Sequence, residues 1–412
     1  MRALKFIGVF LGVLIIIVII SFGLKWNAVK TLFNNREGIK EGSEWVAKTG
    51  TMEGLAGYIS AQPKRVSVVS IEVGKPDSSI FYNAHAPRTM GKLQNLFFVI
   101  EYARQVQNGS LNADEPIQLE QINRFQLTNV NQSNHENMLN WLEANNKISD
   151  ENYVPLHTLV QASVIFNDVA LSDFLLFKLG IENIKALMDK LNLQETELPL
   201  PFSGLYITIN PPAGRDVDAY FDSLSFIPRA EFQQLILKTG KKFVADKTFH
   251  QKEVKRFKDG HGLSLKFTKQ RDALVFFPKT TAAEMSSLMK NLAEDKLLSP
   301  QISKRVKQFL KWPLKVNEAM SRFLNSYGAI YDMRMGMANG ASLGRSASTD
   351  ELYAQAVFFD NLQVGFWFHI SSNLMTQDFQ QQLIWNTSLQ KTTLEATRGE
   401  TESTATQITD GQ

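Results

Sequence analysis

Apolar positions along the chain follow two rhythms. In residues 86–110, Leu93, Leu96, Phe97, Ile100 and Ala103 recur at steps of three and four, the spacing of one buried helical stripe. Asn108-Gly109 supplies the stop, so the pattern predicts one long central helix over 86–110. Before it, residues 65–73 (RVSVVSIEV) read as a strand, and 79–82 as its hairpin partner across a Gly74-led turn. Residues 156–179 predict a second apolar helix closed by Gly180, and 184–191 a third. A Pro-punctuated loop occupies 199–212, and amphipathic helices follow at 280–292 and 299–310. Strand character returns at 329–337 and 353–359, then after Asp360-Asn361 at 362–370, the last two reading as a hairpin. A helix over 374–389 closes the pattern. The Thr/Glu/Ser-rich residues 390–412 read as a disordered tail.

Strands at both ends of a chain with helices between them predict an α+β fold. Its antiparallel sheet is built from the N- and C-terminal segments and flanked by helices. An all-helical lobe is inserted at about 90–325, with a basic insertion at 203–277. The domain is expected over 41–389.

The first segment changes the picture. Residues 6–24 form an uncharged apolar run between Arg2 and Lys5 on one side and Lys25 on the other. As a helix the run spans about 28 Å, one hydrocarbon core. No small-residue cleavage site follows, and Trp26 stands at an interfacial position. We expect an uncleaved anchor over 1–26, a juxtamembrane linker over 27–40, and a single-pass membrane protein with its body outside the cytoplasm.

Composition narrows the chemistry. The net charge of +3 is too small to imply a nucleic-acid partner. The chain has no cysteine, so disulfides, Cys-ligated zinc and a Cys nucleophile are excluded. The six histidines show no metal spacing, and no metal or cofactor is expected. Residues 238–271 hold eleven Lys/Arg against three Asp/Glu. They read as a solvated face, with contact to anionic envelope polymer or lipid headgroups as the sharper alternative.

At the front of the central helix stands Thr89-Met90-Gly91-Lys92. On a helix, residues three apart share a face, which would bring the Lys92 amine to the Thr89 hydroxyl. A hydroxyl beside a desolvated amine at a helix N-terminus is one way to make a nucleophile.

These four residues, the Asn108-to-Pro116 segment NGSLNADEP and the run SVIFNDVALSDFLLFKLG together resemble the class A β-lactamase and penicillin-binding serine hydrolase superfamily. The resemblance covers roughly 41–389. It implies a sheet with an inserted helical lobe, and acyl transfer on β-lactam or D-alanyl-peptide substrates. Thr89 then falls at the nucleophile position and Lys92 at the base. The S-D-N element falls on Phe166-Asn167-Asp168, which makes Asn167 and Asp168 further catalytic candidates. The K-T-G element falls on Ala338-Asn339-Gly340, continued by Ala341. The resemblance puts the oxyanion-hole N–H groups at Thr89 and Ala341, and Arg345 or Arg334 as the source of a missing substrate-binding charge.

Nearly every motif departs from the family pattern. Serine is replaced by Thr89, whose extra methyl crowds attack. S-D-N lacks its serine, K-T-G lacks its lysine, and no E-x-x-L-N carboxylate is found, with Glu195 and Glu197 the nearest acids. Literal K-T-G at 48–50 and 238–240, S-x-x-K at 287–290 and G-x-S-x-G at 340–344 stand in the wrong context. Three functions are therefore open: an acyl-transfer hydrolase of low activity, an inactive relative binding a cell-wall peptide or protein partner, and a structural envelope module.

Overall fold

In the computed structural model, which describes residues 33–259 and 266–409, β1 (Val66–Glu72) is where the two ends of the chain meet. Its β-branched run VSVVSIE is buried almost throughout, as suits a strand covered on both faces. β1 pairs on one side with β2 (Ile80–Tyr82). Outside it lies the small pair of β3 (Arg88–Thr89) and β6 (Lys279–Thr280), and in the lobe β4 (Pro116–Gln118) pairs with β5 (Tyr153–Pro155). The sheet continues through β7 (Leu324–Arg334), β8 (Met337–Ser346) and β9 (Leu352–Phe359). β9 lies on β1 from Val66↔Phe359 to Glu72↔Tyr353, giving the order β2-β1-β9-β8-β7 with every pair antiparallel.

Helices of eight residues or more are numbered in chain order. α1 (Met52–Ala61) precedes the sheet. The lobe contains α2 (Asn95–Gln107), α3 (Gln132–Ala144), α4 (Leu156–Phe166), α5 (Val169–Leu179), α6 (Ile181–Lys190), α7 (Phe202–Ile209), α8 (Val217–Ser225), α9 (Arg229–Ala245) and α10 (Lys247–Lys258). α11 (Ala282–Ala293) and α12 (Pro300–Leu310) lead back to the sheet, and α13 (Val364–Ser372), α14 (Met375–Trp385) and α15 (Thr387–Thr409) follow it. One sheet face packs Ala341, Ala356 and Phe358 with α2, α11 and α12, around Phe97, Met285 and Val306. The other face packs Val66, Val68 and Phe359 with α1, α13 and α14, around Tyr58, Phe366 and Phe379. The sheet is thus the middle of three layers.

Several expectations are corrected here. The long helix over 86–110 is shorter: α2 starts at Asn95, behind a 3₁₀ turn at Gly91–Gln94 and the strand β3. The helix expected over 156–179 is two. Asn167 takes a left-handed conformation, and the Asp168 carboxylate caps α5 by accepting from the Ala170 and Leu171 N–H groups. Such an Asx cap starts a new helix rather than continuing an old one. The strand expected over 362–370 is α13, so there is no hairpin at Asp360-Asn361; the third C-terminal strand is β8. A continuous apolar run such as VGFWFHI does not by itself distinguish strand from buried helix, and Phe366, set 4.1 Å from Tyr58 between ring centroids, decides for the helix. Residues expected in the linker form the helix Arg36–Lys40, which packs on α13, and α15 runs through residues expected as tail. The anchor over 1–26 lies outside the described residues, among which no helix is long and apolar enough to cross a membrane.

Within the lobe, α7 and α9 cross closely. A Cβ on Gly204 of α7 would stand 2.3 Å from the Ile236 carbonyl oxygen and 2.8 Å from the Gly240 nitrogen of α9. Both obstacles are backbone, so relief requires separating the helices. We expect Gly204→Ala to destabilise the fold by about 1–3 kcal/mol, read as a lowered denaturant midpoint with unchanged m-value.

Candidate active site

The 3₁₀ turn Gly91–Gln94, which leads into α2, packs against the edge strand β7. Gly91 enters the turn with φ of +55°, and a Cβ there would lie 2.4 Å from Asp332 Oδ2. Both the left-handed backbone and the close approach need glycine. Asp332 Oδ2 accepts the Lys92 backbone N–H at 2.7 Å and Arg334 Nε at 2.9 Å. A first-turn amide is where developing negative charge would be stabilised, and here it already holds a carboxylate.

The Lys92 side chain turns inward. It is fully buried, its amine has no hydrogen-bond partner among the described residues, and it lies 5.6 Å from the Phe202 ring centroid. Burial lowers its pKa to about 7, against the pull of Asp168, Asp332 and Asp173 and with a further push from Arg334. Phe202 stands between two cations, with the Arg334 guanidinium 4.7 Å over its ring. Arg334 Nη1 also donates to Tyr206 Oη at 2.7 Å. Burial works against the Arg334 charge, but Asp332 and Tyr206 outweigh it and hold its pKa above the ordinary arginine value. Phe202 is held in turn from α5, because Asp173 accepts the Phe202 and Ser203 N–H groups at 2.6 and 2.7 Å. Burial raises the Asp173 pKa to about 7 despite these donors.

Thr89 is placed elsewhere. It lies on β3, opposite Lys279 of β6, and is fully buried. Its hydroxyl donates to Asp360 Oδ2 at 2.9 Å and accepts from Lys279 Nζ at 2.8 Å, and its N–H donates to the same Asp360 oxygen at 2.8 Å. Burial lowers the Lys279 pKa, against Asp360. Thr89 precedes the helical turn, so the three-residue spacing does not bring its hydroxyl to Lys92; no hydrogen bond joins the two side chains. The residues of the first turn that do stand three apart are Lys92 and Asn95. Asn95 is also buried, donating to the Ser163 carbonyl at 3.0 Å and accepting from Ser172 Oγ.

The other sequence candidates divide. Asn167 sits at the α4–α5 junction with its Oδ1 buried and, among the described residues, without a partner. Asp168, besides capping α5, takes His135 Nδ1 at 3.0 Å, so it is committed rather than free as a base. Asn339, Gly340 and Ala341 lie on the central strand β8. Asn339 donates to the Thr89 carbonyl at 2.6 Å, and a Cβ on Gly340 would meet Gln380 Oε1 at 2.0 Å. The strand that borders the α2 start is β7, and the residue it offers there is Asp332. Arg345 is seven residues along β8 from Ala338, about 23 Å at strand rise, and pairs with Asp350. Arg334, the other cation considered, is at the site. Glu197 is held by Arg229, and Glu195 by His85.

Asp332, Lys279, Asp360 and Phe202 were not anticipated. The one available signal was Asp332, a carboxylate inside the apolar strand AIYDMRM. Beside Arg334 a cavity of about 210 Å³ opens, lined by Asn131, Tyr206, Phe257, Leu274, Phe277 and Arg334 among others. Neither Thr89 nor Lys92 reaches it. Among the described residues no group of three His, Asp or Glu is placed to hold a metal ion.

The model of a β-lactamase enzyme family matches residues 50–313. The fold is similar to a β-lactamase of Sphaerobacter thermophilus, at 12% identity over 84% of this chain and 96% of that one, with a TM-score of 0.47. A substituted chromosome-encoded β-lactamase of Vibrio parahaemolyticus is similar at 11% identity over 79% and 97%, with a TM-score of 0.48. The protein PBP-A is similar at 9% identity over 81% and 97%, with a TM-score of 0.44. No curated protein sequence matches.

The buried amine fixes a pH dependence. Between pH 7 and the ordinary lysine value of 10.5, the unfolded chain holds a proton at Lys92 that the folded chain lacks. Stability therefore rises with pH across that window, and Lys279 adds the same sign. We expect the denaturant midpoint to climb from pH 7 to 9. Lys92→Met should flatten that slope and stabilise the protein at pH 7 by about 1–3 kcal/mol, because it removes an unpartnered buried polar group.

Proposed function

The chain belongs to the β-lactamase enzyme family, and we propose that it is a non-hydrolysing member of it. In this reading the chain is held at the outer face of the bacterial cell membrane by residues 1–26 and binds an envelope ligand, a cell-wall peptide, rather than turning one over. The observation that carries this reading is the state of the 3₁₀ turn that leads into α2. Its amide is occupied by Asp332, its amine is buried beneath Phe202, and no hydroxyl stands on it. Acyl transfer needs a nucleophile that a substrate can reach and an amide free to receive the oxyanion. Lys92 and Asn95, which take the two places three residues apart, give neither a nucleophile nor a base beside one.

Binding is supported by the cavity next to Arg334. Arg334 supplies a cation, and Asn131 Oδ1 is a buried acceptor without a partner among the described residues. Tyr206, Phe257 and Phe277 give apolar walls. That set suits a short peptide bearing a carboxylate and an amide N–H.

One observation favours a second reading, a weak hydrolase. Thr89 Oγ1 lies 2.8 Å from an amine of lowered pKa, though that amine is Lys279 and not Lys92. In that reading β3 and β6 must part to admit substrate, since Thr89 is fully buried.

Labelling with a fluorescent penicillin, with a chromogenic cephalosporin assayed in parallel, separates the two. We expect no covalent label and no turnover above buffer. An adduct that maps to Thr89 and disappears in Lys279→Met would establish the hydrolase instead. Calorimetry with a D-alanyl-D-alanine peptide should give heat that is lost in Arg334→Gln. Absence of heat with the wild-type chain would sink the ligand assignment.

A further inference from the structure

α9 and α10 meet at Asp246 and pack on each other around Phe243, Phe249 and Phe257. Their inner faces are apolar and buried. Their outer faces carry Lys238, Lys241 and Lys242 on α9, and Lys247, Lys252, Lys255 and Lys258 on α10, all exposed. Among the described residues none of these seven ammonium groups takes part in an ion pair; Lys242 has only the Phe249 ring beneath it. The acids of the two helices do not offset them. Glu253 is buried with Arg256, and Asp246 is spent capping α10. Glu231 at one end and Asp259 directly after α10 are the exposed acids that remain, and Lys238 and Lys241 border a groove that Glu182 and Asp189 of α6 also line. Seven like charges on one helical pair repel one another unless a counter-charge covers them.

The place of the chain's first described residues points to what covers them. Asn35 Oδ1 accepts the Phe267 N–H at 2.6 Å, and Glu41 pairs with Arg271. Phe267 and Arg271 belong to the short helix that follows α10. The point from which residues 1–32 depart is therefore fastened to the chain just beyond the basic pair. Eight residues separate Phe33 from the apolar run ending at Leu24, a reach of at most about 28 Å. Two large apolar side chains near the ends of these segments are bare. Phe33 is 71% exposed, and Phe226, three residues before α9, is 87% exposed. Exposed lysines, on a chain that also bears bare phenylalanines, suit a surface that is anionic outside and apolar beneath.

We propose that the outer faces of α9 and α10 dock on anionic phospholipid headgroups of the membrane that holds the chain. The inference rests on the anchor reading of residues 6–24. Docking holds the lobe down on the bilayer, and its strength falls with salt, since exposed charges are screened over about 8 Å at physiological ionic strength.

The test uses the full chain in lipid nanodiscs of phosphatidylcholine alone or of phosphatidylcholine with phosphatidylglycerol. Lysine acetylation is followed by mass spectrometry, with the exposed Lys296 and Lys391 as internal references. At low salt, acetylation of the seven lysines should slow about three-fold or more on the anionic discs. The references should not change, and high salt should abolish the difference. In the triple variant K241Q, K252Q, K255Q the remaining four should lose their protection. Equal rates on the two discs, or protection that survives high salt, would overturn the docking and leave the anchor standing. A chain that fails to co-purify with discs of either kind would overturn both. Protection by a soluble polyanion such as polyglutamate, without protection by phosphatidylglycerol, would replace the lipid with an envelope polymer and overturn the proposal as stated.

Discussion

The contact on which the site depends is the Asp332 carboxylate, set between the Lys92 amide and the Arg334 guanidinium. Each partner constrains a different layer. The amide belongs to the turn that starts α2, the carboxylate to the edge strand of the sheet, and the guanidinium to the end of the same strand, beneath the rings of the lobe. Gly91 makes the approach possible, since any side chain there would strike Asp332. With the carboxylate in place the arginine is held, and with the arginine held Phe202 has a surface to stack on. The Phe202 ring then covers the Lys92 amine. A closed site follows from one hydrogen-bonded carboxylate and the order in which groups pack around it.

Closure is costly in the usual currency of buried charge. An ammonium taken fully out of water prefers to lose its proton, and the amine at Lys92 sits near neutrality with only carboxylate fields and a ring to stabilise it. Asp168 and Asp173 are not free to approach it further. One caps α5 and binds His135; the other holds the start of α7. These carboxylates serve the backbone first and the lysine at a distance. The polar groups at this end of the sheet are therefore arranged for joining helices. A nucleophile, by contrast, needs a base that is free to take its proton.

Much of the fold was legible in the sequence, and for identifiable reasons. The β1–β2 hairpin, β9, α11 and α12 follow from periodicity and turn residues that act locally. The inserted lobe follows from strands at both chain ends. What was not legible depended on tertiary partners. The run VGFWFHI became a helix because its Phe366 packs on Tyr58, which also donates to Gln363, 305 residues further along the chain. The break at Asn167 was visible only as an Asn-Asp pair inside an apolar stretch. The site was read less well than the fold. Reading TMGK as a helical motif assumed that the helix had already begun, whereas β3 pairing with β6 keeps Thr89 extended. A shift of three residues in the helix start moves the paired positions from Thr89 and Lys92 to Lys92 and Asn95.

That shift also explains why the motif losses form one pattern rather than several. Once Lys92 fills the first-turn position, a free hydroxyl there is gone, and a lysine at Asn95 would have no hydroxyl to deprotonate. Asn95 instead ties α2 to α4 and α5 through Ser163 and Ser172. In the proposed non-hydrolysing reading no acyl group forms, and no cation is needed on the strand to orient a substrate for attack. Asp332 can stand there and bind the amide that an oxyanion would otherwise require. Each substitution is compatible with the next only in a closed site. A single substitution such as Lys92→Ser would leave Asp332 on the amide and Phe202 over the turn. On that reading the arrangement is a packed alternative to a catalytic cleft, with a cavity beside Arg334 and Phe277.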